Sequence, residues 1–315
     1  MDSIKIGVSA CLLGQEVRYN GGHAHDRYIT GTLGKYMEFV PVCPEVEAGF
    51  GVPREAMRLV GDPQNPRLVT VNTGKDVTEQ LLNWAKSRVR ELERENLCGF
   101  IFKSNSPSSG MERVKVYSDK GMPARKGVGL FARVFMDHFP RIPVEEDGRL
   151  QDHEIRENFI ERLFTLARWR KVLQESKDIH GLVKFHSQHK FLIMSHSEKI
   201  CRDMGKLVAH AGKYEAGEVF EQYEDLLMQA LKMKATVRKH ANVLQHMMGY
   251  FKKSLSSDEK QELLEIIDEY KKGYLPLIVP VTLIKHYVRK YGDPYLADQV
   301  YLNPHPLELK LRNHA

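Results

Sequence analysis

Cys11 closes the apolar run Val8-Ser9-Ala10-Cys11-Leu12-Leu13-Gly14, and Cys43 closes Val42-Cys43-Pro44-Glu45. A third run, Gly99 to Lys103, leads into Ser104-Asn105-Ser106-Pro107-Ser108-Ser109-Gly110 and carries no cysteine at its end. Where strand ends converge in an α/β sheet, a ligand or cofactor sits. Two of these ends offer thiols and the third offers only hydroxyls. Glu45, two residues beyond Cys43, is in position to act as a general base, or else it caps a neighbouring helix. Ser106 either orients such a base or donates a proton, or else is a plain turn hydroxyl.

The elements that must place these groups alternate in type. Ile4–Ala10 and Phe39–Cys43 read as short strands, the second closed by Pro44. A helix follows Asp76, a suitable N-cap, with Leu81, Leu82, Ala85, Val89 and Leu92 at helical spacing. It leads to the strand Gly99–Lys103; a helix over Gly129–His138 then leads to a last strand at Ile142–Glu145. This alternation predicts an α/β domain, a parallel sheet with helices on both faces, over residues 1–149. The functional residues then belong at the C-terminal strand ends. Tyr19-Asn20-Gly21-Gly22-His23 and residues 47–54 read as loops able to cover a site. Gly127-Val128-Gly129 and Pro107–Gly110 match neither a P-loop nor a dinucleotide fingerprint, so no nucleotide cofactor is expected.

From about Asp152 strand signals vanish. Amphipathic helical patterns cover Glu154–Gln174, Leu182–Ser195, Tyr223–Ala241, Asp258–Lys271 and Pro280–Tyr291. Residues 150–315 are expected to form an all-α domain.

Bulk composition narrows the class. The 315 residues are 42% hydrophobic and 28% charged, typical of a globular protein with room for two cores. Apolar runs are too short for a membrane span, and Met1 to Gly7 is too short and polar for a signal peptide. Four scattered cysteines without CxxC spacing argue for a reducing compartment, so the cytoplasm is the expected address. Cys98 and Cys201 read as packed, inert thiols. The net charge of +6 permits a polyanionic partner. Of 14 histidines, 11 lie beyond residue 150. The pairs His186/His189 and His240/His246 lack acidic or thiolate companions at ligand spacing, which favours core or RNA-facing roles over metal binding.

At Ser9-Ala10-Cys11-Leu12-Leu13-Gly14, Arg18-Tyr19-Asn20-Gly21, Cys43-Pro44-Glu45 and Ser106-Pro107-Ser108, residues 1–147 resemble the thiouracil desulfidase (TudS-like) family. From about residue 150 the chain resembles the YbgA-like domain. The marks are Arg156-Glu157-Asn158-Phe159-Ile160, Phe185-His186, His240-Ala241-Asn242-Val243-Leu244-Gln245-His246, Gly249-Tyr250-Phe251-Lys252 and Gln299-Val300-Tyr301-Leu302-Asn303-Pro304. Together they look like the fused desulfidases that remove sulfur from 4-thiouridine in tRNA. The resemblance implies a [4Fe-4S] cluster held by three cysteines with one iron open as a Lewis acid, so that water replaces sulfur without net electron transfer. Cys11 and Cys43 match two of those ligands. The third falls at Ser109, whose oxygen is harder and far less acidic than a thiol and replaces it poorly. Glu45 matches the family's catalytic glutamate and Ser106 its active-site serine.

On this reading Tyr19, Asn20 and His23 are candidates to stack on the base or read its edge. The helical domain becomes an RNA clamp, with Lys234 and Arg238 one helical turn apart and Lys232 and Lys239 two turns apart. Lys252-Lys253, Lys271-Lys272, Lys285/Arg289 and the group Arg162, Arg168, Arg170, Lys171 add further basic points. Two alternatives stand beside the tRNA reading: a desulfidase of free thiouracil bases, and a cluster-free, non-catalytic RNA-binding protein.

Overall fold

Alternation of Lys5 with the apolar Ile4, Ile6 and Val8 makes residues 4–9 a strand with little exposed surface. This strand, β1 (Ile4–Ser9), pairs in parallel with β2 (Met37–Val42), Ile6 opposite Phe39 and Ser9 opposite Val42. The chain continues through β3 (Met57–Val60), β4 (Arg67–Thr70), β5 (Phe100–Phe102), β6 (Val114–Tyr117), β7 (Pro123–Gly127) and β8 (Val144–Glu146). The computed structural model describes residues 4–118, 121–213 and 215–313.

The strands build two sheets. One is all-parallel in the order β2-β1-β5-β8, as the sequence pattern leads one to expect. Three helices follow its strands: α1 (Pro44–Glu47), α2 (Thr78–Leu92) and α3 (Leu130–His138). Ala85, Val89 and Leu92 of α2 and Phe131, Ala132 and Phe135 of α3 bury against Val42, Phe100 and Phe102. Gly7 lies under this aromatic layer: a Cβ there would stand 2.2 Å from the Phe100 ring. Asp76 does hydrogen-bond Thr78 N, but Val77 occupies the N-cap of α2.

The second sheet, order β4-β3-β6-β7, has no counterpart in the sequence pattern, which assigns no element to these residues. Its pairs are antiparallel at both edges and parallel between β3 and β6. Leu59, Leu68, Val114 and Val116 give it a small core with Leu81 and Leu130.

The chain divides into two compact units between Ile155 and Arg156. The second is helical: α4 (His153–Glu175), α5 (Ile179–His196), α6 (Glu198–Ala209), α7 (Ala216–Lys232), α8 (Val237–Tyr250), α9 (Ser257–Lys271), α10 (Ile278–Tyr291) and α11 (Pro294–Ala297). In its core Trp169 stacks on Phe220, meets Phe185 edge-on and lies tilted against Tyr223. One expected helix, Tyr223–Ala241, is in fact broken. Thr236 accepts a hydrogen bond from Lys239 N and starts α8 afresh after α7 has ended. Among the described residues no helix is long and apolar enough to cross a membrane.

Candidate active site

Three strand ends deliver the side chains. After β1 the chain tightens into a 3₁₀ turn, Ala10–Leu13, that buries Cys11. After β2, Cys43 sits at the N-cap of α1, and its own N–H is taken by Glu47 Oε1 at 2.8 Å. After β5, the serine turn is clamped by the start of α3. Leu130 N donates to Pro107 O and Ala132 N to Ser108 O, at 3.2 and 3.1 Å. Gly129 makes this approach possible, because a Cβ there would stand 2.5 Å from the Ser108 carbonyl. Lys103 N donates to Ser9 Oγ at 2.9 Å and ties the ends of β5 and β1 together.

These ends enclose a cavity of about 390 Å³, lined by Cys11, Cys43, Glu45, Ser106 and Ser109 together with Arg18, Tyr19, Arg54 and Lys103. Glu45 is the hub. Its Oε1 accepts the Ser108 hydroxyl, and its Oε2 lies 3.6 Å from both Cys43 Sγ and Arg54 Nη2. Ser108 Oγ is in turn 2.9 Å from Ser106 Oγ, which also accepts the Ser109 N–H at 3.1 Å. Arg54 is braced by Val17 O and Gly51 O, and its Nε is buried with no hydrogen-bond partner among the described residues. Burial, and next the Glu45 charge, push the Cys11 thiol up to about 11 and the Cys43 thiol up to about 12. Both are held neutral, so any metal taken up here must displace their protons.

A family profile described as 2-thiouracil desulfurase matches residues 6–147, and one described as a protein of unknown function (DUF1722) matches residues 190–306. The uncharacterized protein YbgA of Escherichia coli is 32% identical over 153 residues, which cover 48% of this chain and 90% of that protein. The uncharacterized protein YbbK of Bacillus subtilis is 35% identical over 108 residues, covering 33% of this chain and 71% of that one. The chain belongs to both families: a 2-thiouracil desulfurase domain followed by a YbgA-like domain. A solved structure, the [4Fe-4S]-dependent thiouracil desulfidase TudS, is 28% identical over 47% of this chain and 94% of its own, with a TM-score of 0.38.

Within the desulfurase domain the expected site residues divide. Cys11, Cys43, Glu45, Ser106, Ser109 and Tyr19 share the cavity. Asn20 and His23 are not among its lining residues; Asn20 Oδ1 accepts from Gly22 N and His23 Nδ1 from His25 N. Ser108, Arg54 and Lys103 are additions. The Ser-Pro-Ser run was visible in the sequence, but nothing there distinguishes the serine that meets Glu45.

In the YbgA-like domain, Lys234, Arg238, Lys252 and Lys253 are all exposed. The helix-turn spacing read for Lys234 and Arg238, and for Lys232 and Lys239, does not hold, because the break before α8 separates each pair. Lys239 Nζ instead donates to the carbonyls of His196 and Lys234. Arg162 is buried, and Arg168 is spent on His189, Pro304 O and Thr165, so neither is a solvent-facing cation.

Proposed function

We propose that this protein removes sulfur from 4-thiouridine in tRNA, giving uridine and hydrosulfide without redox chemistry, and that Ser109 impairs the site as it stands. The observation that carries the reading is the convergence of Cys11, Cys43, Glu45 and the serine turn on one cavity. Its volume falls within the ~300–1,000 Å³ of small-molecule pockets, so it takes one base rather than a duplex. A base within folded tRNA must therefore be extruded to reach it. Exposed Lys234, Arg238, Lys252 and Lys253 supply cations for the phosphate backbone.

The net reaction exchanges C=S and water for C=O and hydrogen sulfide. Glu45 is the base: it takes a proton from water as the oxygen attacks the ring carbon. Ser108 fixes the carboxylate through Oε1, and Arg54 opposes its charge at Oε2. The hydroxyls of Ser108 and Ser106 form a two-step path from Glu45 into the cavity, along which the proton returns to the departing sulfur.

A [4Fe-4S] group of the kind the resemblance implies calls for three thiolates. Two thiols and the Ser109 hydroxyl line the cavity, and among the described residues no three His, Cys, Asp or Glu side chains gather as a metal set. The present residues do not fit such a cluster, and the steps above run through protein groups alone.

The test is to incubate the protein and its Ser109→Cys variant, after anaerobic reconstitution, with 4-thiouridine-bearing tRNA and with free 4-thiouracil. Loss of 4-thiouridine from tRNA, faster with the variant, supports the reading. Turnover of the free base alone makes the protein a thiobase desulfidase. Binding of tRNA with no turnover by either form makes it a cluster-free RNA-binding protein.

A further inference from the structure

The YbgA-like domain holds a cavity of its own, about 550 Å³, lined by side chains of α5, α6 and α8 and by Tyr295 of α11. One wall is aromatic. The rings of Tyr250 and Tyr295 stack with centroids 5.2 Å apart and planes 21° apart, and Phe191 meets both edge-on. Tyr250 nevertheless keeps 46% of its surface exposed.

The remaining walls carry groups that read a polar ring. His186 Nδ1 is 3.2 Å from the Tyr223 hydroxyl, which leaves Nε2 free. That Nε2 lies 3.6 Å from where a Cβ on Gly205 would stand, so the glycine keeps this side of the cavity open. Burial, reinforced by the Lys190 charge, holds His186 down to about 4, and the ring is a neutral hydrogen-bonding group at neutral pH. His246 and Lys190 are exposed lining residues, and Arg202 pairs with Glu198 only loosely, at 3.7 Å in solvent.

We infer that this cavity is a nucleotide-binding subsite: the base stacks on Tyr250, His186 or His246 bonds its edge, and Lys190 and Arg202 take the phosphate. An open aromatic face beside cations and uncharged imidazole is the set that single-stranded nucleic acid recognition uses. The inference rests on the tRNA reading only for the source of the nucleotide, which is either a strand of RNA or a free mononucleotide.

Binding of the full-length protein to fluorescently labelled hexauridylate and to uridine monophosphate tests it, with Tyr250→Ala, Tyr250→Phe and Arg202→Glu alongside. Desulfuration of free 4-thiouracil by each protein in the Ser109→Cys background is read in parallel. The expected result is that Tyr250→Ala weakens hexauridylate binding about tenfold, the value of one lost stacked base, and Tyr250→Phe does not. Arg202→Glu also weakens it, while turnover of the free base is the same in every variant. Uridine monophosphate bound with the same Tyr250 dependence assigns the cavity to free nucleotides; hexauridylate alone assigns it to RNA. Unchanged affinity in Tyr250→Ala and Arg202→Glu, or no binding by the unmodified protein, overturns the inference. Absence of desulfuration in all proteins, both of the free base and of 4-thiouridine-bearing tRNA, sinks the proposed function instead and leaves the binding result standing.

Discussion

Ser108 donates its hydroxyl to Oε1 of Glu45, joining the turn after β5 to the turn after β2. Ser108 is fully buried, and α3 grips its carbonyl, so the donor cannot drift. The carboxylate is thereby held at one end by a hydroxyl and at the other by Arg54 and the Cys43 thiol.

Removing that donor has a defined cost. A hydrogen bond to a charged group contributes about 1.5–3 kcal/mol, so Ser108→Ala in the Ser109→Cys background lowers kcat roughly ten- to a hundredfold with little change in KM. Ser108→Thr keeps the hydroxyl and restores most of the rate. A raised KM with normal kcat would instead make Ser108 a substrate contact.

Glu45→Gln keeps the shape of the side chain and removes the base. Turnover of 4-thiouridine in the same background drops about 10²–10⁴-fold, while iron content and fold are unchanged. Residual activity within a factor of a few would assign the base elsewhere.

The aromatic layer beneath the site is the main support of the parallel sheet. Phe131 is fully buried and its ring meets Phe100, Phe102, Phe135 and Trp84. Truncation to alanine leaves a large void, and Phe131→Ala destabilises the desulfurase domain by about 3–5 kcal/mol in denaturant titration. A loss below about 1 kcal/mol would mean the layer collapses around the gap.

The helical unit should weaken in mild acid. Burial holds His186 down to about 4, His240 to about 3 and His305 to about 4, against an ordinary histidine value of 6.5. His189 is pushed well below that value by burial and the neighbouring Arg168 charge. Each of the four is neutral when folded and charged when unfolded, so below 6.5 the unfolded state binds more protons and stability falls with pH. Each such histidine contributes about 1.4 kcal/mol per pH unit. Glu157, pushed up to about 7 by burial, acts the other way, since the folded state takes its proton before the unfolded one does. One acid against four histidines leaves the net slope positive. Thermal melts from pH 7 to pH 5 should show the melting temperature of the helical unit dropping; a flat profile contradicts the buried-neutral assignment.

Three of the four parallel strands were legible in the sequence because they are largely apolar runs ending at Cys11, Cys43 and the serine turn; β8, Val-Glu-Glu, was placed by the apolar Ile142 and Val144 at its start. The second sheet was not, for reasons visible in its residues. β3 and β4 are only four residues long, and β7 reads Pro-Ala-Arg-Lys-Gly with no apolar face. Such strands form because neighbours offer hydrogen bonds and a small core, which is tertiary information. The break between α7 and α8 was hidden in the same way, since Met233 to Thr236 fit a helical pattern and only the Thr236 cap interrupts it. At the site, residue type disclosed the thiols and Glu45, whereas Ser108 and Arg54 acquire meaning only through contacts made across the fold.

On the proposed function, the cavity is a desulfidase site impaired at Ser109. Iron and acid-labile sulfide, measured after anaerobic reconstitution of this protein and of Ser109→Cys side by side, decide whether it is. About four irons per chain in the cysteine variant alone, as a cubane requires, with 4-thiouridine turnover rising above that of the unmodified protein, is the predicted result. Equal cluster content and turnover in both proteins, or none in either, would contradict it.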